Sequence, residues 1–157
     1  MTKHKYQHLF ALVHHRMYVR MIFLAFAGAM LLAFSGTLAN AHAKVAQLDR
    51  EFKLKAGEQV NLKRTRLRIK FVTVENDSRC PKDVTCVWAG NAAVRFQLSV
   101  GRRSKTVTLN TNGNATFVRE VEYQGYRVNL VDLSPSPLSK QKIAASAYTA
   151  TLVVGKK

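Results

Sequence analysis

Beyond its first 43 residues this chain has no histidine and no methionine. All five histidines (His4, His8, His14, His15 and His42) and all four methionines (Met1, Met17, Met21 and Met30) fall before residue 44. A histidine general base, a histidine-ligated metal and a methionine copper site are therefore excluded from the remainder. Acids are scarce as well: nine Asp and Glu stand against 25 Lys and Arg. Prolines number three, and two of them lie in Ser134-Pro135-Ser136-Pro137, a stretch that cannot be a central strand because neither proline donates to a ladder. No internal repeat and no low-complexity segment is present.

The first 43 residues read as a secretory leader. Lys3, Lys5, Arg16 and Arg20 make a basic front, Met21 to Phe34 is an apolar run, and Ala41-His42-Ala43 is a small-x-small cleavage signature. The apolar run covers about 14 residues where a membrane span needs about 20, so no span is expected after cleavage. The start is Met1 or Met17. Four of the 25 Lys and Arg go with the leader and none of the nine acids does, which leaves a net charge of +12 on residues 44–157. The expected product is one domain, residues 44–157, periplasmic or secreted.

Alternation of apolar and polar residues dominates that domain. Val60 and Leu62 point one way, and Arg64 to Glu75 reads as the first long strand, with Leu67, Ile69 and Phe71 on one face. The other face then carries Arg64, Arg66, Arg68 and Lys70 as a cationic comb. At Val72 and Val74 the apolar parity flips, which predicts a bulge or burial on both faces. Val94, Phe96, Leu98 and Val100 make the next strand, and Gly101-Arg102 suits a two-residue hairpin turn. That turn sets Phe96 opposite Val107 and Val94 opposite Leu109, with Arg102, Arg103 and Lys105 at the tip. Phe117 to Tyr123, Tyr126 to Leu133 (with a second parity slip at Val131) and Tyr148 to Val154 follow as strands. The last has Thr149 and Thr151 outside. The fold class is all-β, an antiparallel sandwich or barrel of about seven to eight short strands.

The two cysteines, Cys80 and Cys86, sit in an exported chain and predict a disulfide closing a seven-residue ring. Trp88 is expected to pack its ring against the bridge or the core, and Gly90 to supply a backbone conformation other residues avoid. The run Asp77-Ser78-Arg79-Cys80-Pro81 followed by Cys86-Val87-Trp88-Ala89-Gly90-Asn91 resembles a motif of small exported bacterial single-domain proteins of unassigned function. The upstream Leu67-Arg68-Ile69-Lys70-Phe71 and the downstream Tyr126–Leu130 and Pro135–Pro137 segments are similar too. The resemblance covers about residues 50–155 and implies no catalytic residue.

Function is constrained more by exclusion than by motif. A redox pair would ordinarily be Cys-x-x-Cys, so a structural bridge is expected. Glu75, Asp77 and Asp83 lack the pattern of a calcium loop, and no metal or cofactor is expected. No nucleophile–base set is visible, so the expectation is a binding protein and not an enzyme. The candidate anion-binding residues are Arg64, Arg66, Arg68, Lys70, Arg102, Arg103 and Lys105, facing an anionic envelope polymer or lipid surface. The comb carries no aromatic, which disfavours nucleic acid as the partner. The alternative is an inhibitor or protein-interaction module presenting the closed loop 77–91, with Lys82, Asp83, Val84 and Trp88 as its contacts to an unidentified protein. A basic partner enzyme would be repelled by the +12 charge.

Overall fold

Among the described residues nine strands make two sheets, and the reasons begin with two-residue periodicity. The computed structural model describes residues 44–114 and 116–157; the leader reading falls on residues outside them. In chain order the strands are β1 (Lys44–Ala46), β2 (Phe52–Lys55), β3 (Gln59–Leu62), β4 (Leu67–Asp77), β5 (Ala92–Val100), β6 (Arg103–Asn110), β7 (Glu120–Tyr123), β8 (Tyr126–Ser134) and β9 (Thr149–Lys156). A five-stranded sheet has the order β1-β3-β4-β5-β6 and a four-stranded sheet the order β2-β9-β8-β7. Every pairing is antiparallel except β1 with β3, a short parallel pair at the edge. The all-β sandwich expected from the sequence is the architecture observed.

Residues of one parity from each sheet fill the space between them. Leu67, Ile69 and Phe71 of β4 and Val94, Phe96 and Leu98 of β5 are all essentially inaccessible, as are Leu130, Leu152 and Val154 across the sandwich. Phe71 and Phe96 sit opposite each other in the ladder with ring centroids 5.3 Å apart and tilted planes. Burying each such ring stabilises the fold by about 1.5–3 kcal/mol.

The hairpin register follows the reading of Gly101-Arg102. Val94 pairs Leu109, Phe96 pairs Val107 and Val100 pairs Arg103, with Gly101 at φ +60° in the first turn position. Both parity slips are bulges: the register shifts between Phe71 and Thr73, again between Val74 and Asn76, and in β8 between Leu130 and Asp132. Gln124-Gly125 turns with both residues at positive φ.

Several expectations are corrected. The first long strand begins at Leu67, not Arg64, and runs on to Asp77. Arg64 (φ +59°) and Arg66 occupy the turn between β3 and β4. Thr65 makes that turn: its hydroxyl donates to the Leu62 carbonyl (2.9 Å) and accepts from the Leu67 N–H (3.1 Å). The strand expected from Phe117 starts only at Glu120. Thr151, expected outside, is buried, lying between Lys53 of β2 and Asp132 of β8.

Candidate anion-binding end and interaction loop

Antiparallel pairing decides which functional residues meet. Because β4 starts where β5 ends, Leu67 pairs Val100, and the β3–β4 turn lies beside the β5–β6 tip. Lys63, Arg64 and Arg66 of the turn and Arg102, Arg103 and Lys105 of the tip, all exposed, therefore share one end of the sandwich. The Arg68 guanidinium reaches the Gly101 carbonyl at 3.4 Å and ties the two together. Lys156 joins them at an open depression lined also by Gln47, Leu48, Lys63 and Arg64. Two groups that read as separate along the chain form one cluster.

The comb itself is shorter than expected. Only Arg68 and Lys70 alternate along the strand, about 6.6–6.8 Å apart, opposite Ser99 and Gln97 on the outer sheet face. Farther along that face the charge ends, because Arg95 is paired with Glu75, which also accepts from the Thr108 hydroxyl at 2.9 Å. Among the described residues the other ion pairs join Lys44 to Glu58, Arg79 to Asp77, Arg127 to Glu120 and Glu122, and Lys157 to Glu122. None of these pairs involves Arg64, Arg66, Arg68, Lys70, Arg102, Arg103 or Lys105. The cluster is cationic and unneutralised by carboxylates at salt-bridge distance.

The cysteine loop occupies the opposite end of β4 and β5. Beyond Asp77 and Ala92 the ladder continues for two more rungs, Ser78 N–H to Asn91 O at 2.7 Å and Cys80 N–H to Ala89 O at 3.1 Å. Gly90 is required there: its φ is +67°, and a Cβ would lie 1.9 Å from the Ser78 carbonyl oxygen. The Cys80–Cys86 disulfide then closes the tip, with the two Cα atoms 5.9 Å apart.

Arg79 locks this loop to the body. Its guanidinium donates to both Asp77 carboxylate oxygens (2.8 and 2.7 Å), to the Pro135 carbonyl (2.8 Å) and to the Leu133 carbonyl. Burial pushes the Asp77 carboxyl up. The Arg79 side-chain and backbone hydrogen bonds, the Arg79 charge and the Tyr148 hydroxyl outweigh this and hold it below its ordinary value. Tyr148 is raised in turn, by burial first and then by the Asp77 charge. Asp83 accepts from the Ser139 hydroxyl (2.6 Å) and N–H (2.9 Å), which lower its pKa, and the Lys82 N–H bonds the Pro137 carbonyl at 3.1 Å. Glu75, Asp77 and Asp83 are thus each engaged by separate partners. Among the described residues no group of three His, Cys, Asp or Glu is placed to hold a metal.

Trp88 overturns its expectation. It is 81% exposed and not buried against bridge or core, and Val87 (89%) and Val84 (47%) of the same loop are exposed too. The Cys80–Ala89 rung lies one residue short of Trp88, so the chain has already left the sandwich when it reaches that position. Sequence reasoning missed the Asp77–Arg79 clamp, although the i, i+2 spacing of an acid and a base along a strand was the available signal. It also passed over Val87. No protein-family model, curated protein or solved structure matches this chain.

Proposed function

We propose that this is an exported, non-catalytic binding domain that engages an anionic envelope polymer or lipid headgroup array through the cationic end of its sandwich. One observation carries the reading: turn 63–66 and tip 101–105 converge on a single end and meet no carboxylate at salt-bridge distance among the described residues. Clustered, unneutralised cations raise the local potential and the on-rate for a polyanion. Side chains held on a hairpin tip and a tight turn present that charge without requiring a groove. The leader pattern and the disulfide support a periplasmic or secreted setting, where phosphate- and carboxylate-bearing polymers and lipids are the available anions.

Binding to an acidic polysaccharide such as alginate, and separately to anionic vesicles, tests this. Attachment through this end weakens steeply as the Debye length falls from about 10 Å at 0.1 M salt to about 3 Å at 1 M. Arg66→Glu combined with Arg103→Glu abolishes it while leaving the fold intact, since exposed substitutions cost little. Polyanion binding that survives the double reversal removes the reading.

A further inference from the structure

The pole opposite the cationic end carries an apolar point. Val87 and Trp88 are consecutive and almost wholly exposed just after Cys86, and Val84, within the disulfide-closed ring, is exposed as well. The tip is braced from several sides: by the Arg79 clamp, by the Asp83–Ser139 and Lys82–Pro137 hydrogen bonds, and by Asn91, whose side-chain oxygen accepts from the Asn112 N–H at 3.1 Å. A loop this constrained loses little conformational freedom when it docks. Exposed lysines lie in the loop and in the segment bonded to it. Lys82 is in the ring itself, Lys140 follows the Ser139 that holds Asp83, and Lys142 lines the depression beside Arg79 and Pro81. Of the nearby acids, Asp77 is paired with Arg79, Asp83 is hydrogen-bonded to Ser139 and Asp132 lines the depression beside Cys80, Ala89 and Gly90, so the three lysines outnumber the two acids that lack a cationic partner.

We infer that loop 80–88 is a membrane-docking point that seats Trp88 and Val87 in the interfacial layer of a bilayer bearing anionic lipids. An indole has an apolar body and a polar N–H and favours the headgroup level. These lysines select anionic headgroups, each lysine near such a surface strengthening attachment about fivefold. A braced, exposed apolar tip with lysines in and next to its loop has the composition of an interfacial anchor and enters only the outer layer of the bilayer. Leu67 and Asp77 are ten residue steps apart, so the cationic pole would stand about 30 Å from the membrane and face whatever polyanion lies there.

Trp88 is the only tryptophan in the chain, which makes its own emission the readout. The exported protein is mixed with vesicles of phosphatidylcholine plus phosphatidylglycerol, with phosphatidylcholine alone as control, and with acyl-brominated lipid as quencher. The expected result is a blue shift and quenching on the anionic vesicles, reduced on phosphatidylcholine. Trp88→Ala weakens vesicle sedimentation on the order of tenfold, and Lys140→Glu with Lys142→Glu weakens it without unfolding the loop. Arg66→Glu with Arg103→Glu retains the blue shift, which separates this inference from the polyanion reading. Emission unchanged by vesicles overturns the inference, whether the protein stays free or attaches by another face. So does vesicle binding that Trp88→Ala leaves untouched.

Discussion

Replacing Arg79 by methionine removes the clamp while keeping a side chain of similar length. Arg79 and Asp77 side chains are only 13% and 9% exposed, so the pair is buried, and breaking such a pair costs about 3–5 kcal/mol. The low end is expected, because Asp77 keeps its hydrogen bonds from the Arg79 backbone N–H (3.2 Å) and the Tyr148 hydroxyl (3.1 Å). Urea unfolding followed by circular dichroism, with the disulfide intact, should therefore show a loss of about 3 kcal/mol. Adding Asp77→Asn should recover part of it, since the uncompensated charge is gone, and the cycle should return a coupling of roughly 1–3 kcal/mol. The pH dependence has a definite sign. In the wild type the Asp77 carboxyl is depressed, so its contribution is complete above the ordinary value of 3.8 and is lost as pH falls through the folded value. In Arg79→Met the guanidinium's hydrogen bonds and charge are lost while the burial remains, so the carboxyl moves up from its wild-type position. Acidification then protonates it before the wild-type carboxyl and narrows the gap to wild type. A loss below about 1 kcal/mol, the range of surface pairs, or a strictly additive cycle, would refute the clamp.

Three further outcomes follow from the same end of the sandwich. Gly90→Ala must hold a Cβ at positive φ, about 1–2 kcal/mol in itself, and 1.9 Å from the Ser78 carbonyl. Hydrogen exchange at the Ser78 and Cys80 amides should accelerate, and unchanged protection would mean the rungs do not depend on this glycine. Cys80→Ser with Cys86→Ser should lower unfolding stability by about 2–2.5 kcal/mol, the chain-entropy value for a ring this small, with strand circular dichroism preserved and no free thiol in the wild type. Tyr148 is raised above 10.0 in the folded state, so the native protein holds a proton that the unfolded chain gives up. Stability should fall as pH rises beyond about 10, and less steeply in Asp77→Asn; an alkaline limb identical in the two proteins would remove Asp77 from the cause.

The legible parts of the fold were those with a local signal. Gly101-Arg102 fixed the hairpin length, and hairpin length fixes register, so Phe96 met Val107 as read. Val72 and Val131 announced their bulges by breaking the alternation. The same rule misled at Arg64 and Arg66, because alternating charge looks alike in a strand and in the turn that feeds it; the Thr65 hydroxyl was the discriminating chemistry. β1 is three residues long and held by a parallel partner that no short pattern reveals. Trp88 was misplaced because aromatics are usually buried, and whether the sandwich reaches position 88 is a matter of where the last rung falls. The candidate cations were individually visible, but their convergence required the β4–β5 ladder.

The five-stranded sheet ends at β6, and that position gives its charges a second role. From Arg103 to Thr106 the strand is exposed and at the sheet margin, where unpaired amides and carbonyls template pairing with another molecule. Arg103 and Lys105 place like charges on that margin, a pattern that opposes pairing between copies. Swapping them for alanine would strip a gatekeeper along with a ligand contact, and the resulting oligomers could imitate a change in polyanion affinity. Swapping them for glutamate inverts the ligand chemistry and still keeps neighbouring edges apart by like-charge repulsion. The margin of the sheet therefore dictates how its charge can be interrogated: by sign, not by deletion.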